Sequence, residues 1–250
     1  MISKAKIKLI NSLLQKKFRD ETGLFVAEGT KLVIDLSLAF ECSILVATSD
    51  WLSQHPQFKA TEKIEAEADE FNKISNQKSP QGVLAVFEKQ IYTWNVQELS
   101  QKLSLALDDI QDPGNLGTII RIADWFGISD IFCSEHSADT FNPKTVQASM
   151  GALARVRVHV VNLGGFLNTC QSKMPVYGTF MNGESIYSKT LTQTGIIVMG
   201  NEGNGISNEI EKLVSERLLI PNFPAGQATS ESLNVSVATA LVCGEFRRRI

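Results

Sequence analysis

Three loops gather the side chains with a capacity for chemistry. The first reads Asp108-Asp109-Ile110-Gln111-Asp112-Pro113-Gly114-Asn115-Leu116-Gly117 and leads into a helix carrying Arg121. The second is Gly200-Asn201-Glu202-Gly203-Asn204-Gly205, with three glycines in six residues. The third runs from Ile220 to Leu241, IPNFPAGQATSESLNVSVATAL, and holds Ser230, Ser232 and Asn234. Together they offer one guanidinium, several carboxylates, and several amides and hydroxyls. Hydroxyls and amides hydrogen-bond without forming a charge cage, which suits a neutral or delicately balanced ligand better than a bare phosphate. Glycines at these positions let backbone line a pocket closely. Each loop also has an ordinary reading. The first fits a helix start capped by Asn115 with Arg121 facing solvent, and the second fits a plain turn with positive φ. A helix beginning near Leu116 puts Arg121 in its second turn, six residues from Asn115.

The elements that must carry these loops follow from periodicity. Residues 3–17 read as one helix, with Ile7, Ile10, Leu13 and Leu14 as its apolar stripe. Strands are expected at 24–26, 43–47, 64–68 and 82–87, alternating with helices at 29–40 and 69–75. This predicts a small α/β domain over residues 1–88. Residues 89–102 mix periods and read as a linker. A second alternation fills 103–250. Its strands are expected at 103–107, 131–133, 156–161, 176–180, 195–199 and 218–220. Its helices are expected at 115–126, 143–153, 163–172, 206–214 and 235–249, with Ser207 as a candidate cap. Crossover helices between apolar strands imply a mostly parallel sheet. Ligands of such sheets bind at the carboxyl ends of the strands, where all three loops fall.

Bulk numbers narrow the class. The chain has 250 residues, 43% hydrophobic and 20% charged, with a net charge of −3. Those are ordinary globular values and do not suggest a general nucleic-acid binder. The total conceals an asymmetry. Lys4, Lys6, Lys8, Lys16, Lys17 and Arg19 occupy the first 19 residues without an acid, and Arg247-Arg248-Arg249 come near the other end. Such runs are either solvated helix faces or local nucleic-acid patches. Cys42, Cys133, Cys170 and Cys243 are widely spaced in apolar surroundings, with no CxxC and only three histidines in the chain. Structural zinc and a disulfide framework are therefore not expected, and the thiols read as core residues of a cytoplasmic protein. No signal peptide or membrane-spanning run is expected.

The segments NLGTIIRIADWFG, VMGNEGNGIS and IPNFPAGQATSESLNVSVATAL, in this order, resemble the three motifs of the SpoU (TrmH) family of RNA ribose 2′-O-methyltransferases, in the SPOUT class. The resemblance covers roughly residues 103–249. LFVAEG and GVLAVF make the first half similar to the ribosomal-protein-like RNA-binding domain that often precedes it. The resemblance implies a deep trefoil knot, S-adenosylmethionine held by knot backbone, no metal, and a homodimer with the site at its interface. Position by position, it implies cofactor contacts at Met199, Gly200, Gly205, Ile220 and Leu233. It implies catalytic and substrate roles for Asn115, Arg121, Glu202, Ser232 and Asn234. The loop between Pro221 and Ser232 is longer than in many members. In NPKTVQASMGAL, Gln147 stands where the family pattern leads one to expect Arg, which weakens an expected RNA phosphate contact.

The implied reaction is methyl transfer to a ribose 2′-hydroxyl of RNA, ribosomal RNA first and transfer RNA second. Arg121 would orient the ribose and a phosphate and stabilise charge developing on oxygen, since a guanidinium is a poor base. The basic stretch Lys4–Lys17 would meet RNA phosphates. Two other classes stay open at this point. One is a nucleotide-dependent α/β enzyme, disfavoured because the acids of Asp108–Gly117 repel phosphate and Gly200–Gly205 does not read GxGxxG. The other is an RNA-binding module without catalysis, disfavoured by the presence of both Arg121 and Asn234.

Overall fold

A computed structural model describes residues 2–224 and 232–248. Ser230 and Arg249, singled out above, and Gly226 of the third loop lie outside the described residues. In chain order the elements are α1 (Lys4–Ser12), α2 (Lys16–Thr22), β1 (Leu24–Glu28), α3 (Thr30–Leu36), β2 (Cys42–Ala47), α4 (Ser49–Gln54), β3 (Glu62–Glu65), α5 (Ala68–Phe71), β4 (Val83–Glu88) and α6 (Val96–Leu99). Then come β5 (Leu103–Leu107), α7 (Pro113–Trp125), β6 (Asp130–Ser134), α8 (Pro143–Ser149), β7 (Arg157–Val161) and α9 (Leu163–Cys170). The remainder is β8 (Val176–Ser185), β9 (Gly195–Met199), α10 (Asn208–Glu211), β10 (Glu216–Leu219) and α11 (Val235–Arg248).

Two compact units result. The first takes the chain up to Ile91 together with Asp139–Arg155. Its four-stranded sheet has the order β1-β4-β2-β3, with β4 antiparallel to both neighbours. Its core joins Ile10 and Leu13 to Val26, Val46, Leu84 and Val86. The helix expected over 3–17 is in fact two. No glycine or proline marks the break. Instead the Leu13 carbonyl accepts from the Arg19 guanidinium at 2.7 Å, and Gln15 turns extended before α2.

The expected second domain over 103–250 is interrupted, because Asp139–Arg155 packs with the first unit. The reason is side-chain chemistry. Phe141 lies 4.7 Å from Phe25 and 6.2 Å from Phe40, ring to ring. Arg19, 1% exposed, donates to Asp139 through Nε at 2.9 Å and a terminal nitrogen at 2.5 Å. The helix expected over 143–153 also ends early, at Ser149. Met150 and Gly151 both take positive φ before a 3-10 turn over Ala152–Ala154.

The basic run of residues 1–19 is mostly neutralised within this unit. Lys6 pairs with Glu62, Lys16 with Asp20, Lys17 with Glu21 and Arg19 with Asp139. Lys4 and Lys8 make no ion pair among the described residues. Gln147 Oε1 accepts from Gln77 Nε2 at 3.3 Å.

The second unit holds Tyr92–Ala138 and the chain from Val156 onward. Its sheet has the order β10-β8-β9-β5-β6-β7, parallel at every pairing. LSLAL in β5 and GIIVM in β9 are buried along their whole length, as strands covered on both faces must be. The segment read as a linker over 89–102 contains α6, whose cap is Asn95 accepting from Gln97 and Glu98 N–H groups. The four cysteines are buried and free. Burial pushes the thiols of Cys42, Cys133 and Cys243 up to about 12 and that of Cys170 to about 11. Arg247 is also structural, donating to the carbonyls of Phe126 and Gly127 beyond α7 at 2.8 and 3.3 Å. Among the described residues, no helix is long and apolar enough to cross a membrane.

Candidate active site

β5, β9 and β10 run parallel in one sheet, so the loops after Leu107, Met199 and Leu219 leave from the same edge. The first two are tied together by backbone and carboxylate. The Asp108 N–H donates to the Met199 carbonyl at 2.9 Å, and Asp108 Oδ2 accepts from the Ser207 N–H at 2.7 Å. Asn201 Nδ2 donates to the Asp109 carbonyl at 2.7 Å. Asp109 itself stands at φ 61°, a left-handed conformation rare for a residue with a side chain.

The glycine loop closes on itself. Asn201 and Gly205 exchange backbone hydrogen bonds at 2.9 Å, and Asn201 Oδ1 accepts from the N–H groups of Gly203 and Asn204. A Cβ on Gly200 would stand 2.2 Å from the Gly205 carbonyl carbon, so only glycine fits there. Gly205 adds a turn at φ +70°.

Helix α7 starts earlier than its apolar pattern suggests. Asp112, not Asn115, caps it, its side chain accepting from the Asn115 N–H at 2.9 Å. Arg121 therefore lies in the third turn rather than the second. Freed from capping, the Asn115 side chain joins the other loops. Its Nδ2 donates to Glu202 Oε1 at 2.8 Å, and its Oδ1 accepts from Asn234 Nδ2 at 3.0 Å. Three of the five residues expected to be catalytic, one from each loop, thus share one hydrogen-bonded chain.

Beside this chain lies a cavity of about 510 Å³. All five expected cofactor positions line it: Met199, Gly200, Gly205, Ile220 and Leu233. Ser232 and Glu202 line it as well. Glu202 is the one charged side chain among the described lining residues. A volume of this order takes a cofactor-sized molecule. A carboxylate wall without a cation disfavours phosphate and admits a neutral or positively charged ligand.

Arg121 is not part of the chain. It stands exposed on α7 and makes no hydrogen bond or ion pair among the described residues. Its five donors are available to something outside this chain.

Comparison with known proteins now decides the family. The SpoU rRNA Methylase family model matches residues 102–244, and an MRM3-like substrate binding domain matches residues 4–85. The chain belongs to the SpoU rRNA methylase family. It is 30% identical to the 23S rRNA (guanosine(2553)-2′-O)-methyltransferase RlmP of Bacillus subtilis, over 97% of this chain and 96% of that one. A TrmH-family protein of Porphyromonas gingivalis has a structure similar to this one at TM-score 0.90, with 41% identity and full coverage of both chains. An AdoMet-bound rRNA methyltransferase from Sinorhizobium meliloti is similar at TM-score 0.86 and 28% identity, covering 100% of this chain and 97% of that one.

The SpoU motifs do not contain every residue that builds the site. Thr179, Phe180 and Met181 line the cavity although they lie in none of them. They leave the ladder where pairing to β10 jumps from Gly178 to Glu184. Phe180 is held by the Arg217 guanidinium, 3.7 Å from its ring centroid. The one available signal was Gly183, whose Cβ would meet the Leu218 backbone at 2.5 Å. Asp108 and Asn201 stood inside the quoted loops, but their clasping roles depend on distant partners that spacing cannot reveal. The helix expected over 206–214 shrinks to α10, with Ser207 at its start giving no side-chain cap.

Proposed function

We propose that this SpoU-family chain transfers the methyl group of S-adenosylmethionine to a ribose 2′-hydroxyl of ribosomal RNA. The observation that carries the reading is the cavity wall: backbone from three strand-end loops, and Glu202 as its one charged described side chain. That donor set fits a sulfonium compound and fits a nucleotide phosphate poorly. The SpoU family model and the named activity of the Bacillus subtilis relative point the same way.

Met199, Gly200, Gly205, Ile220 and Leu233 would hold S-adenosylmethionine, which supplies an electrophilic methyl group. The chain's own part is positional and electrostatic. Arg121, exposed and unengaged among the described residues, orients the ribose with its planar fork and stabilises charge developing on the 2′-oxygen. Asn115 and Asn234 fix Glu202 at the cavity wall, and Ser232 adds a hydroxyl beside the donor. Fixing two reactants in this way is worth roughly 7–11 kcal/mol of barrier in favourable cases.

Three further features belong to the same reading. The second unit carries a deep trefoil knot. The enzyme is a cytoplasmic homodimer, closed over an exposed apolar face of the second unit. Trp125, one turn beyond Arg121 and 85% exposed, contributes to that face, with Val237 and Leu241 of α11 half exposed. The first unit presents RNA, with Lys4 and Lys8 as its free charges on α1. Gln147 is neutral and already engaged with Gln77, so it adds no phosphate contact.

Mapping ribose methylation in ribosomal RNA from cells with and without the protein tests the proposal. One methylated position should vanish and return on complementation. An unchanged map would contradict it.

A further inference from the structure

Ser236 sits in the first turn of α11, 5% exposed, where a serine in an apolar helical run attracts no notice. Its hydroxyl donates to Asn115 Oδ1 at 3.1 Å. Asn234 Nδ2 donates to the same oxygen at 3.0 Å. The polarity of this hydrogen-bonded chain is set from both ends. At one end, the N–H groups of Ser236 and Val237 donate to Asn234 Oδ1 at 3.0 and 3.4 Å. First-turn N–H groups lack an intrahelical acceptor, so that bond is their natural outlet. It turns the Asn234 amino group toward Asn115, which must answer with its oxygen. At the other end, ionised Glu202 can only accept, and Asn115 Nδ2 donates to it at 2.8 Å. A flipped amide anywhere in between would set donor against donor or oxygen against oxygen.

We propose that Ser236 is a positioning residue for methyl transfer, acting through the Asn115 carboxamide. Its hydroxyl is the second donor on Asn115 Oδ1, and it holds the amide plane so that the amino group stays on Glu202. Without that hydroxyl, Asn115 Oδ1 keeps one side-chain donor, the exposed Asn234. Its carboxamide then swings, and Glu202 loses its fixed direction at the cavity wall. This role rests on the methyl-transfer reading above.

The test compares wild type, Ser236→Ala, Asn115→Ala and the double variant. Transfer of labelled methyl from S-adenosylmethionine to ribosomal RNA gives kcat, calorimetry gives cofactor affinity, and a thermal melt gives stability. Ser236→Ala should lower kcat about tenfold, the scale of one neutral hydrogen bond. Cofactor affinity should stay within about twofold, and the melting temperature should stay near wild type. In the Asn115→Ala background the Ser236 change should cost nothing further. A wild-type kcat in Ser236→Ala overturns the proposal. So does a loss of the same size in both backgrounds, or a loss matched by weaker cofactor binding. Failure of this role leaves wild-type transfer intact, whereas wild-type protein that transfers no label refutes the parent reading and this role with it.

Discussion

Asn115 and Glu202 lie 87 positions apart in the chain and meet at 2.8 Å, amide donating to carboxylate. Asn115→Asp would put carboxylate against carboxylate, and one of the pair would hold a proton well above the ordinary range. Methyl transfer by this variant should fall at neutral pH and partly recover as the pH drops and a proton returns to the pair. A pH–rate profile from 5 to 8 checks this, since wild type should show no such recovery. A flat loss across that range would mean that the contact has no electrostatic role.

Arg121 acts on the substrate side. Arg121→Ala should lower transfer at least a hundredfold while cofactor affinity changes less than about threefold. Lysine should not restore activity, because a point charge cannot reproduce the planar fork. Calorimetry beside a methylation assay separates the two quantities. An equal fall in both would place Arg121 in the cofactor pocket instead.

Gly200 has no room for a side chain, with the Gly205 carbonyl carbon 2.2 Å from where a Cβ would stand. Gly200→Ala must spread a loop held by two backbone bonds between Asn201 and Gly205. The expected result is a loss of about 1–3 kcal/mol in stability from overpacking, together with weakened S-adenosylmethionine binding. Unfolding by urea and calorimetry read the two effects. Wild-type cofactor affinity in this variant would remove the glycine loop from the binding site.

Asp130 is buried at the start of β6, at the other end of the strands from the site. Burial works to raise its pKa. Hydrogen bonds from His159, Arg157, Ser129 and Lys102 prevail and hold it well below the usual carboxylate range. A depressed carboxylate stabilises the fold above its unfolded value of about 3.9, and that stability is lost as pH falls toward the folded value. Wild-type stability should therefore fall steeply below about pH 4. Asp130→Asn should be weaker at neutral pH by roughly 3–5 kcal/mol, because three basic side chains lose their carboxylate. It should also lose less on acidification. Identical acid slopes in chemical denaturation would assign the acid lability elsewhere.

Much of this architecture is legible in the sequence. LSLAL and GIIVM read as strands buried on both faces, and the first two glycine-bearing loops follow them. The parallel sheet and its site edge follow from that. What stayed hidden depends on partners far away in the chain. Arg19 reads as one more surface cation until Asp139 is seen beside it, 120 positions on. That pairing holds Asp139–Arg155 in the first unit, and the same guanidinium bonds the Leu13 carbonyl where the first helix breaks. Asn115 reads as a cap because Asp112, the true cap, stands just before a proline. Thr179–Met181 are invisible as site residues because a register break, not a motif, places them along the cavity.

The central claim is that a sulfonium donor in the Glu202-walled cavity gives its methyl to an RNA sugar. Purified protein incubated with labelled S-adenosylmethionine and unmodified ribosomal RNA, followed by digestion to nucleosides, tests it most directly. The account predicts label in a single 2′-O-methylated nucleoside, and none with Arg121→Ala. Label on a base, or no label from wild-type protein that binds S-adenosylmethionine, would contradict it.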